Sequence, residues 1–174
     1  PNVECEGMAF GVDLGGRGQV TKAVRKVTDK PVIVKLSPNV TDIVEIAKAV
    51  EAGGGNGVSL INTLLGMAID IHRRKPVLGN TYGGLSGPAV KPVALRMVHQ
   101  VYKGVTIPII GLGGIMTGTD AIEFMMAGAQ AVQVGTATMV DPTAISRIAR
   151  EMSEYVEQYN LNSITDIVGA VHKA

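Results

Sequence analysis

The sequence is poor in several residue types that often mark a function. It has one cysteine, no tryptophan and only 3% aromatic residues among 174 positions. A single cysteine excludes an internal disulfide and a multi-cysteine zinc site, and it cannot hold an iron–sulfur cluster. It also fits a reducing compartment. Because aromatics are so scarce, the core is expected to be aliphatic.

Charge of one sign and long apolar runs are missing as well. Sixteen basic and 15 acidic residues leave a net charge of +1, so no basic field points to nucleic acid or to a membrane surface. No apolar run approaches the roughly 18–20 residues of a membrane span, and no signal peptide opens the chain. With 46% hydrophobic and 18% charged residues, the chain is expected to fold.

Glycine, by contrast, is abundant, with 22 residues among 174. Short β-branched runs alternate with stretches of helical periodicity, and this alternation predicts an α/β protein with parallel strands covered by helices. The predicted strands are 31–36, 57–61, 108–111 and 131–134. The predicted helices are 41–52, 88–102, 118–127 and 142–159, with a shorter closing helix at 163–171.

Two α/β architectures fit this alternation, the open doubly wound sheet and the (β/α)₈ TIM barrel. Polar or glycine-rich residues follow all four predicted strands. Barrels build sites from many strand ends, whereas an open sheet binds mainly at one switch point, so the pattern favours the barrel. A full barrel needs about 250 residues and eight strands. We therefore expect the chain to form about half of a barrel, in about four βα units.

Two glycine turns follow consecutive predicted strands, Gly113–Gly114 after the third and Gly135–Thr136 after the fourth. Backbone amides approach a phosphate closely where no Cβ intervenes, and a helix N-terminus adds a favourable dipole. Phosphate sites in barrels recur after the seventh and eighth strands. The pair therefore predicts a phosphate site. The alternative is that these glycines only form tight turns.

Three further features lie at or after strand ends. Lys35 lies near the end of the first strand, where its cation either faces a developing negative charge on a ligand or reaches past the rim into solvent. Asn62 and Thr63 follow the second strand and suit an amide or carboxylate ligand, or an ordinary turn. Residues 66–87 exceed a usual βα loop of about 2–6 residues. This excursion is either a lid or interface, or a plain surface hairpin.

The histidines and the cysteine form no catalytic or metal-binding pattern, so no metal site is expected. His99, in a helix, and His172, near the end of the chain, are expected to be surface residues. Cys5 has no motif beside it and is expected to have no catalytic role.

Several motifs together resemble those of the dihydroorotate dehydrogenases, and most closely the catalytic subunit of the NAD-linked, two-subunit bacterial type. The resemblance covers nearly the whole chain, and the set is more specific than any of its members. The motifs are Pro-Asn-Val at 1–3, GMAFG at 7–11, VKLSPNV at 34–40, Ile-Asn-Thr at 61–63, GGLSGP at 83–88, IIGLGG at 109–114 and Val-Gly-Thr at 134–136.

This resemblance implies that residues 1–174 are the C-terminal part of one FMN-binding (β/α)₈ barrel domain. The implied enzyme is cytoplasmic and oxidises dihydroorotate to orotate in de novo pyrimidine biosynthesis. Lys35 would contact the flavin and favour its anionic reduced form, and Ile61 would lie against the flavin ring. The residues implied to hold the FMN, mainly at its phosphate and ribityl end, are Gly87, Gly113, Gly114, Gly135 and Thr136. Those implied to bind orotate are Asn2, Asn62 and Thr63.

The family's catalytic base is a cysteine directly before a Pro-Asn pair, which here is Pro1–Asn2. The resemblance therefore places the base before Pro1, so no catalytic residue is expected in the chain. This role is not transferred to Cys5. The chain alone is accordingly expected to be inactive. Residues 13–19 depart from the family pattern, because fewer glycines are expected where a helix should begin.

The implied partner is an electron-transfer subunit with FAD and an iron–sulfur cluster, through which electrons reach NAD. A homodimer within a heterotetramer is the implied assembly. Two alternatives stay open: another phosphate-binding barrel enzyme, and a non-catalytic half-barrel that binds phosphate or associates with itself.

Overall fold

The computed structural model describes residues 14–173, so Asn2, Cys5 and the Pro1–Asn2 pair lie outside the described residues. The α-helices are α1 (Leu14–Arg25), α2 (Ile43–Ala52), α3 (Lys91–Tyr102), α4 (Gly118–Met126), α5 (Thr136–Val140) and α6 (Ala144–Gln158). The strands are β1 (Ile33–Leu36), β2 (Gly57–Leu60), β3 (Leu64–Met67), β4 (Ile69–Asp70), β5 (Lys75–Pro76), β6 (Tyr82–Leu85), β7 (Ile109–Leu112) and β8 (Ala131–Gln133). Short 3₁₀ helices span Pro88–Val90, Ile164–Ile167 and Ala170–His172.

The main sheet contains four parallel strands in the order β1-β2-β7-β8, so β1 and β8 are its two edges. In register, Lys35 pairs with Ser59, and Ser59 pairs with Ile110 on the other side. Each of the four predicted strands is confirmed to within two residues at its ends. Because all four strands run the same way, the residues that follow them meet at one end of the sheet. We call this end the carboxyl edge.

The core is aliphatic, as the composition predicts. Leu36, Leu60 and Ile109 from the sheet are fully or almost fully buried, and they belong to one cluster with side chains of α2, α3 and α4. Phe124 of α4 is the large aromatic exception and has no exposed surface. This ring faces Gly111 of β7, where an added Cβ would lie 2.6 Å from the ring carbon Cδ1.

Helix α1 forms despite the glycines that depart from the family pattern at 13–19. The reason is close packing against α2. A Cβ built at Gly18 would lie 3.2 Å from the carbonyl oxygen of Ala49, and one at Gly53 would lie 2.8 Å from that of Gly18. The two helices therefore contact each other through backbone, and side chains at these positions would push them apart.

The closing segment is where the prediction of a helix over 163–171 is wrong. It folds into two 3₁₀ helices separated by Val168 and Gly169. Gly169 adopts φ 70°, a left-handed conformation that interrupts a helix, and the Tyr102 ring occupies the space where its Cβ would be. Ile167 anchors the segment in a small apolar cluster with Ile122 and Met125 of α4.

The same segment brings two histidines together, so the expectation that both lie freely on the surface is wrong. The ring of His172 stacks on His99 with centroids 4.2 Å apart and on Tyr102 with centroids 4.6 Å apart. His172 Nε2 lies 3.0 Å from the carbonyl oxygen of Ala127, and both histidines are half-buried. Stacking removes part of each ring from contact with water. The positions of these residues in the sequence do not show that they meet.

The excursion after β2 folds as two antiparallel ribbons. In the first, Leu64 of β3 pairs with Leu85 of β6, and in the second, Ile69 of β4 pairs with Pro76 of β5. Its geometry is that of a surface hairpin, whereas a role as lid or interface stays a prediction. The ribbons expose the apolar side chains Leu65, Met67, Ile69, Ile71, Val77, Leu78, Tyr82 and Leu85.

Within residues 14–173, no helix has the length and apolar character to cross a membrane.

Candidate functional site

The residues after β2 are fixed by both neighbouring strands. The backbone N–H of Ile61 donates to the carbonyl oxygen of Leu112 at 2.8 Å, and that of Asn62 donates to Leu36 at 2.9 Å. Asn62 and Thr63 therefore lie between the ends of β1 and β7 at the carboxyl edge. Lys35 lies one residue before the end of β1, is exposed, and has no ion-pair partner among residues 14–173.

Asn39 holds this segment in place, and sequence reasoning missed that role although Asn39 belongs to the quoted motif at 34–40. Its side-chain Nδ2 donates to the carbonyl oxygen of Thr63 at 3.1 Å, and its Oδ1 accepts from the N–H of Leu65 at 2.9 Å. On the other side, the Thr63 hydroxyl occupies the space where a Cβ of Gly84 would be. Thr63 is thus ordered between the loop after β1 and strand β6.

Three segments that are far apart in sequence meet at a second part of the carboxyl edge. A Cβ built at Gly114 would lie 2.7 Å from the carbonyl oxygen of Gly87, and one at Gly87 would lie 3.5 Å from Thr136 Cγ2. The Thr136 hydroxyl also lies 3.0 Å from that of Ser86, within hydrogen-bonding distance. We call Gly87, Gly113, Gly114, Gly135 and Thr136 the glycine cradle. The structure therefore brings all the predicted phosphate-end residues together.

The glycines of the cradle serve two different purposes. Gly113 and Gly114 adopt φ 132° and 78°, and a Cβ on Gly113 would lie 2.8 Å from that of Ala94. Tight turns and close packing explain these two residues without any ligand. Gly135 is different, because its φ is −113°, it is exposed, and nothing lies within 4 Å of the place where its Cβ would be. The space beside Gly135 is open, as a ligand site requires.

Free backbone donors line the cradle. Among residues 14–173, the N–H groups of Gly113, Gly114, Gly135 and Thr136 form none of the turn, loop or side-chain hydrogen bonds. An anion could therefore accept hydrogen bonds from them. Amides reached without an intervening Cβ are the usual way in which a glycine turn binds phosphate.

Asp120 braces the turn that contains Gly113 and Gly114. Its Oδ2 accepts from the N–H groups of Met116 and Thr117, each at 2.9 Å. Its Oδ1 lies 2.6 Å from Lys91 Nζ, and this lysine also pairs with Glu123 at 2.9 Å. The brace therefore ties the loop after β7 to the helix that follows Gly87.

Both members of the Lys91–Asp120 pair are held in their charged forms. Burial acts to raise the pKa of Asp120, but the hydrogen bonds from Lys91 and from the Met116 and Thr117 N–H groups outweigh it, so the net shift is downward. Hydrogen bonds to Asp120 and Glu123 raise the pKa of Lys91. Sequence reasoning missed this pair. The available signal was the capping-box pattern, with Thr117 three residues before Asp120.

Ile61 connects the two parts of the edge. Its side chain is 97% buried, and its Cγ1 would lie 3.2 Å from a Cβ built at Gly113. It therefore packs under the cradle's first turn. The predicted contact with a flavin ring is limited to the small part of this side chain that is still exposed.

No metal chemistry is indicated in the part of the chain that the structure describes. Within residues 14–173, no three His, Cys, Asp or Glu side chains come close enough to hold an ion. A largely apolar groove of about 360 Å³ lies between α1 and β1 and is lined by residues including Val20, Ile33 and Lys35. None of the cradle residues lines it.

Parallel strands, covering helices and loops that converge at one edge define an α/β protein, and this arrangement is consistent with part of a barrel. The family model described as "Dihydroorotate dehydrogenase" matches residues 1–156. The chain therefore belongs to the dihydroorotate dehydrogenase family, whose members are (β/α)₈ barrels, and its four βα units are consistent with part of one.

Among curated proteins, the chain is similar to the "Dihydroorotate dehydrogenase B (NAD(+)), catalytic subunit" of Desulforamulus reducens. The two are 63% identical over 172 residues, which cover 99% of this chain and 57% of the relative. The protein of the same name from Geobacter sp. strain M21 is 60% identical over 171 residues, covering 98% of this chain and 56% of the relative. The chain thus spans a little more than half the length of these relatives.

Proposed function

We propose that the protein takes part in the FMN-dependent oxidation of dihydroorotate to orotate, the pyrimidine-biosynthetic reaction implied by the family. The observation that carries this proposal is the open space beside Gly135. There, no atom lies within 4 Å of the place where a Cβ of Gly135 would be, and the N–H groups of Gly135 and Thr136 form none of the turn or loop hydrogen bonds among residues 14–173. The similarity to two NAD-linked catalytic subunits supports the same reaction.

We further propose that residues 1–174 are the C-terminal part of a single barrel domain. The chain covers 57% of its Desulforamulus reducens relative, which supports a larger whole. Among residues 14–173, strands β1 and β8 have no strand partner on their outer sides, and the apolar groove runs along β1. Further barrel strands would cover these edges, because exposed strand edges and apolar patches are otherwise liabilities.

In this proposal, different residues at the carboxyl edge bind the two ends of one FMN molecule. The glycine cradle holds the phosphate and ribityl end of FMN through its N–H groups and the Thr136 hydroxyl. Lys35 lies at the other end, where its exposed ammonium group stabilises negative charge. Ile61 packs between the two ends. Bound FMN would supply the redox chemistry, by accepting a hydride.

The substrate is oriented by polar side chains after β2. Asn62 and Thr63 would hydrogen-bond dihydroorotate, and Asn39 keeps Thr63 in place by the contact to its carbonyl oxygen. Asn2 would add a further hydrogen bond. The base that removes the substrate's proton is the cysteine expected directly before Pro1, so a complete site needs more than these residues.

The electrons would leave through a second subunit that carries FAD and an iron–sulfur cluster, with NAD as the final acceptor. The words "catalytic subunit" in the relatives' name support a partner. A homodimer within a heterotetramer is the proposed assembly, and a cytoplasmic location stays a prediction. The exposed apolar ribbons of residues 64–85 are a candidate interface.

The test is a chimera in which this chain replaces the matching part of the Desulforamulus reducens catalytic subunit. The purified chimera should show a flavin absorption band that bleaches when dihydroorotate is added without oxygen. The chain alone is the control and should not bleach a flavin. A chimera that binds flavin but is not reduced favours another phosphate-binding barrel enzyme. Absence of flavin favours the non-catalytic half-barrel.

A further inference from the structure

The two turns of the glycine cradle belong to different βα units, and something must fix their spacing. One phosphate can contact both turns only if Gly113–Gly114 and Gly135–Thr136 stay in one relative position. The direct contacts between segments run from Gly114 to Gly87 and from Gly87 to Thr136, whose hydroxyl also lies 3.0 Å from that of Ser86. A polar connection behind the cradle joins the two units more firmly.

That connection is centred on Arg147 of α6. Its Nη2 donates to the carbonyl oxygen of Met116 at 3.2 Å, in the loop after β7. Its Nε and Nη2 lie 3.4 Å from Asp141 Oδ2, and Asp141 directly follows helix α5, which begins at Thr136. One guanidinium group therefore contacts the segment after the first turn and the residue that follows the helix after the second turn.

Glu151 completes the connection one helical turn further along α6. Its Oε1 lies 3.1 Å from Arg147 Nη1, and its Oε2 accepts from the backbone N–H of Gly118, the first residue of α4. The hydrogen bond from Gly118 lowers the pKa of Glu151; burial opposes this shift, and Arg147 reinforces it. A hydrogen bond to Glu151 in turn raises the pKa of Arg147.

Both backbone polar groups of Met116 are thereby held. Asp120 accepts from its N–H, and Arg147 donates to its carbonyl oxygen. Met116 lies two residues after Gly114, so fixing this residue limits how far the first turn can move. A guanidinium with several donors in a fixed fork suits such a junction, since a lysine ammonium is a compact point charge with a shorter reach between its donors.

We propose that Arg147 is a positioning residue that sets the spacing of the two turns, and thereby the preference of the site for a phosphorylated flavin. This inference rests on the proposed function, because it assumes that the phosphate of FMN occupies the cradle. Arg147 touches neither the cofactor nor the substrate in this arrangement. It acts through Met116 and Asp141.

The experiment compares FMN with riboflavin, which lacks the phosphate, as ligands of the chimera in flavin-fluorescence titrations. Arg147→Gln should weaken FMN binding about tenfold, which corresponds to about 1.4 kcal/mol, and change riboflavin binding by less than about twofold. Arg147→Lys should not restore FMN affinity. Arg150→Gln is the matched control, because Arg150 forms an ion pair with Glu154 at the same spacing on the same helix, with Nε 3.5 Å from Oε1, but this pair is exposed and lies only within α6. It should leave both affinities unchanged.

A second readout needs no flavin. Backbone hydrogen exchange in residues 115–118 and 138–141 of the chimera should be faster in Arg147→Gln than in wild type, and unchanged in Arg150→Gln. Equal weakening of FMN and riboflavin would overturn the proposal, as would exchange that does not differ. If the wild-type chimera binds neither flavin, the proposed function fails, while faster exchange in Arg147→Gln would still support Arg147 as the link between the turns.

Discussion

Replacing single glycines of the cradle by alanine tests whether a glycine leaves room for a ligand or only forms a tight turn. At Gly135 a methyl group would enter open space and meet no neighbouring atom, so Gly135→Ala should lower the free energy of unfolding by clearly less than Gly114→Ala does. At Gly114 the φ of 78° is unfavourable for alanine, and its Cβ would lie 2.7–2.9 Å from Gly87 and Lys91. Strain of about 1–2 kcal/mol and overpacking of about 1–3 kcal/mol predict a loss of about 2–5 kcal/mol for Gly114→Ala.

Gly135→Ala should weaken FMN binding even though it costs less stability than Gly114→Ala. The Gly135→Ala methyl group occupies the space assigned to the phosphate end of FMN, so the chimera should bind FMN at least about tenfold more weakly, which is about 1.4 kcal/mol. Urea unfolding measures the first quantity and flavin-fluorescence titration the second. Riboflavin is the control ligand and should lose less affinity than FMN. Wild-type FMN affinity in a folded Gly135→Ala chimera would refute the reasoning from the open space.

Four further predictions follow from other parts of the chain. Lys35→Ala in the chimera should slow flavin reduction by dihydroorotate on the order of 100-fold in single-turnover stopped flow, and an unchanged rate would contradict its role. Asp120→Asn should cost about 1–3 kcal/mol in urea unfolding at pH 7. Because the pKa of Asp120 is lowered on folding, its stabilisation is fully present above about pH 4 and is lost as the pH falls through the folded value, so the difference between variant and wild type should shrink steadily as the pH falls below about 4. Burial, and then the charges of His172 and Lys103, lower the pKa of His99, so its neutral form is favoured on folding. Stability should therefore decline as the pH falls below about 6.5, and His99→Gln should flatten that decline, which a pH series of thermal unfolding would detect. Phe124→Ala should cost about 3–5 kcal/mol because the ring is fully buried, and a cost below 1 kcal/mol would contradict the packing of α4 on the sheet.

The strands and long helices could be predicted because their patterns are local. Apolar β-branched runs and helical periodicity located four parallel strands to within two residues at each end. The closing segment could not be predicted in this way. Its interruption depends on Gly169 packing against the Tyr102 ring, a contact between residues 67 positions apart. The glycines of α1 were unexpected in a helix for the same reason. They allow a backbone contact with α2, which no local pattern predicts.

The candidate site was predictable in its parts but not in its connections. Glycine turns and strand-end polar residues are visible in sequence, and they do converge at the carboxyl edge. What holds them is not visible there. Asn39 acts on Thr63 across 24 positions, and Arg147 acts on Met116 across 31. Such contacts join different βα units, so no local pattern predicts them.

The pairing of Leu64 with Leu85 has a consequence for how this family can diversify. Because the chain enters and leaves the excursion at adjacent points, the distance from β2 to α3 is independent of what lies between them. The ribbons can therefore lengthen, shorten or exchange their exposed side chains without moving the strands of the main sheet. The surface of the ribbons can therefore change without altering the arrangement of the main sheet.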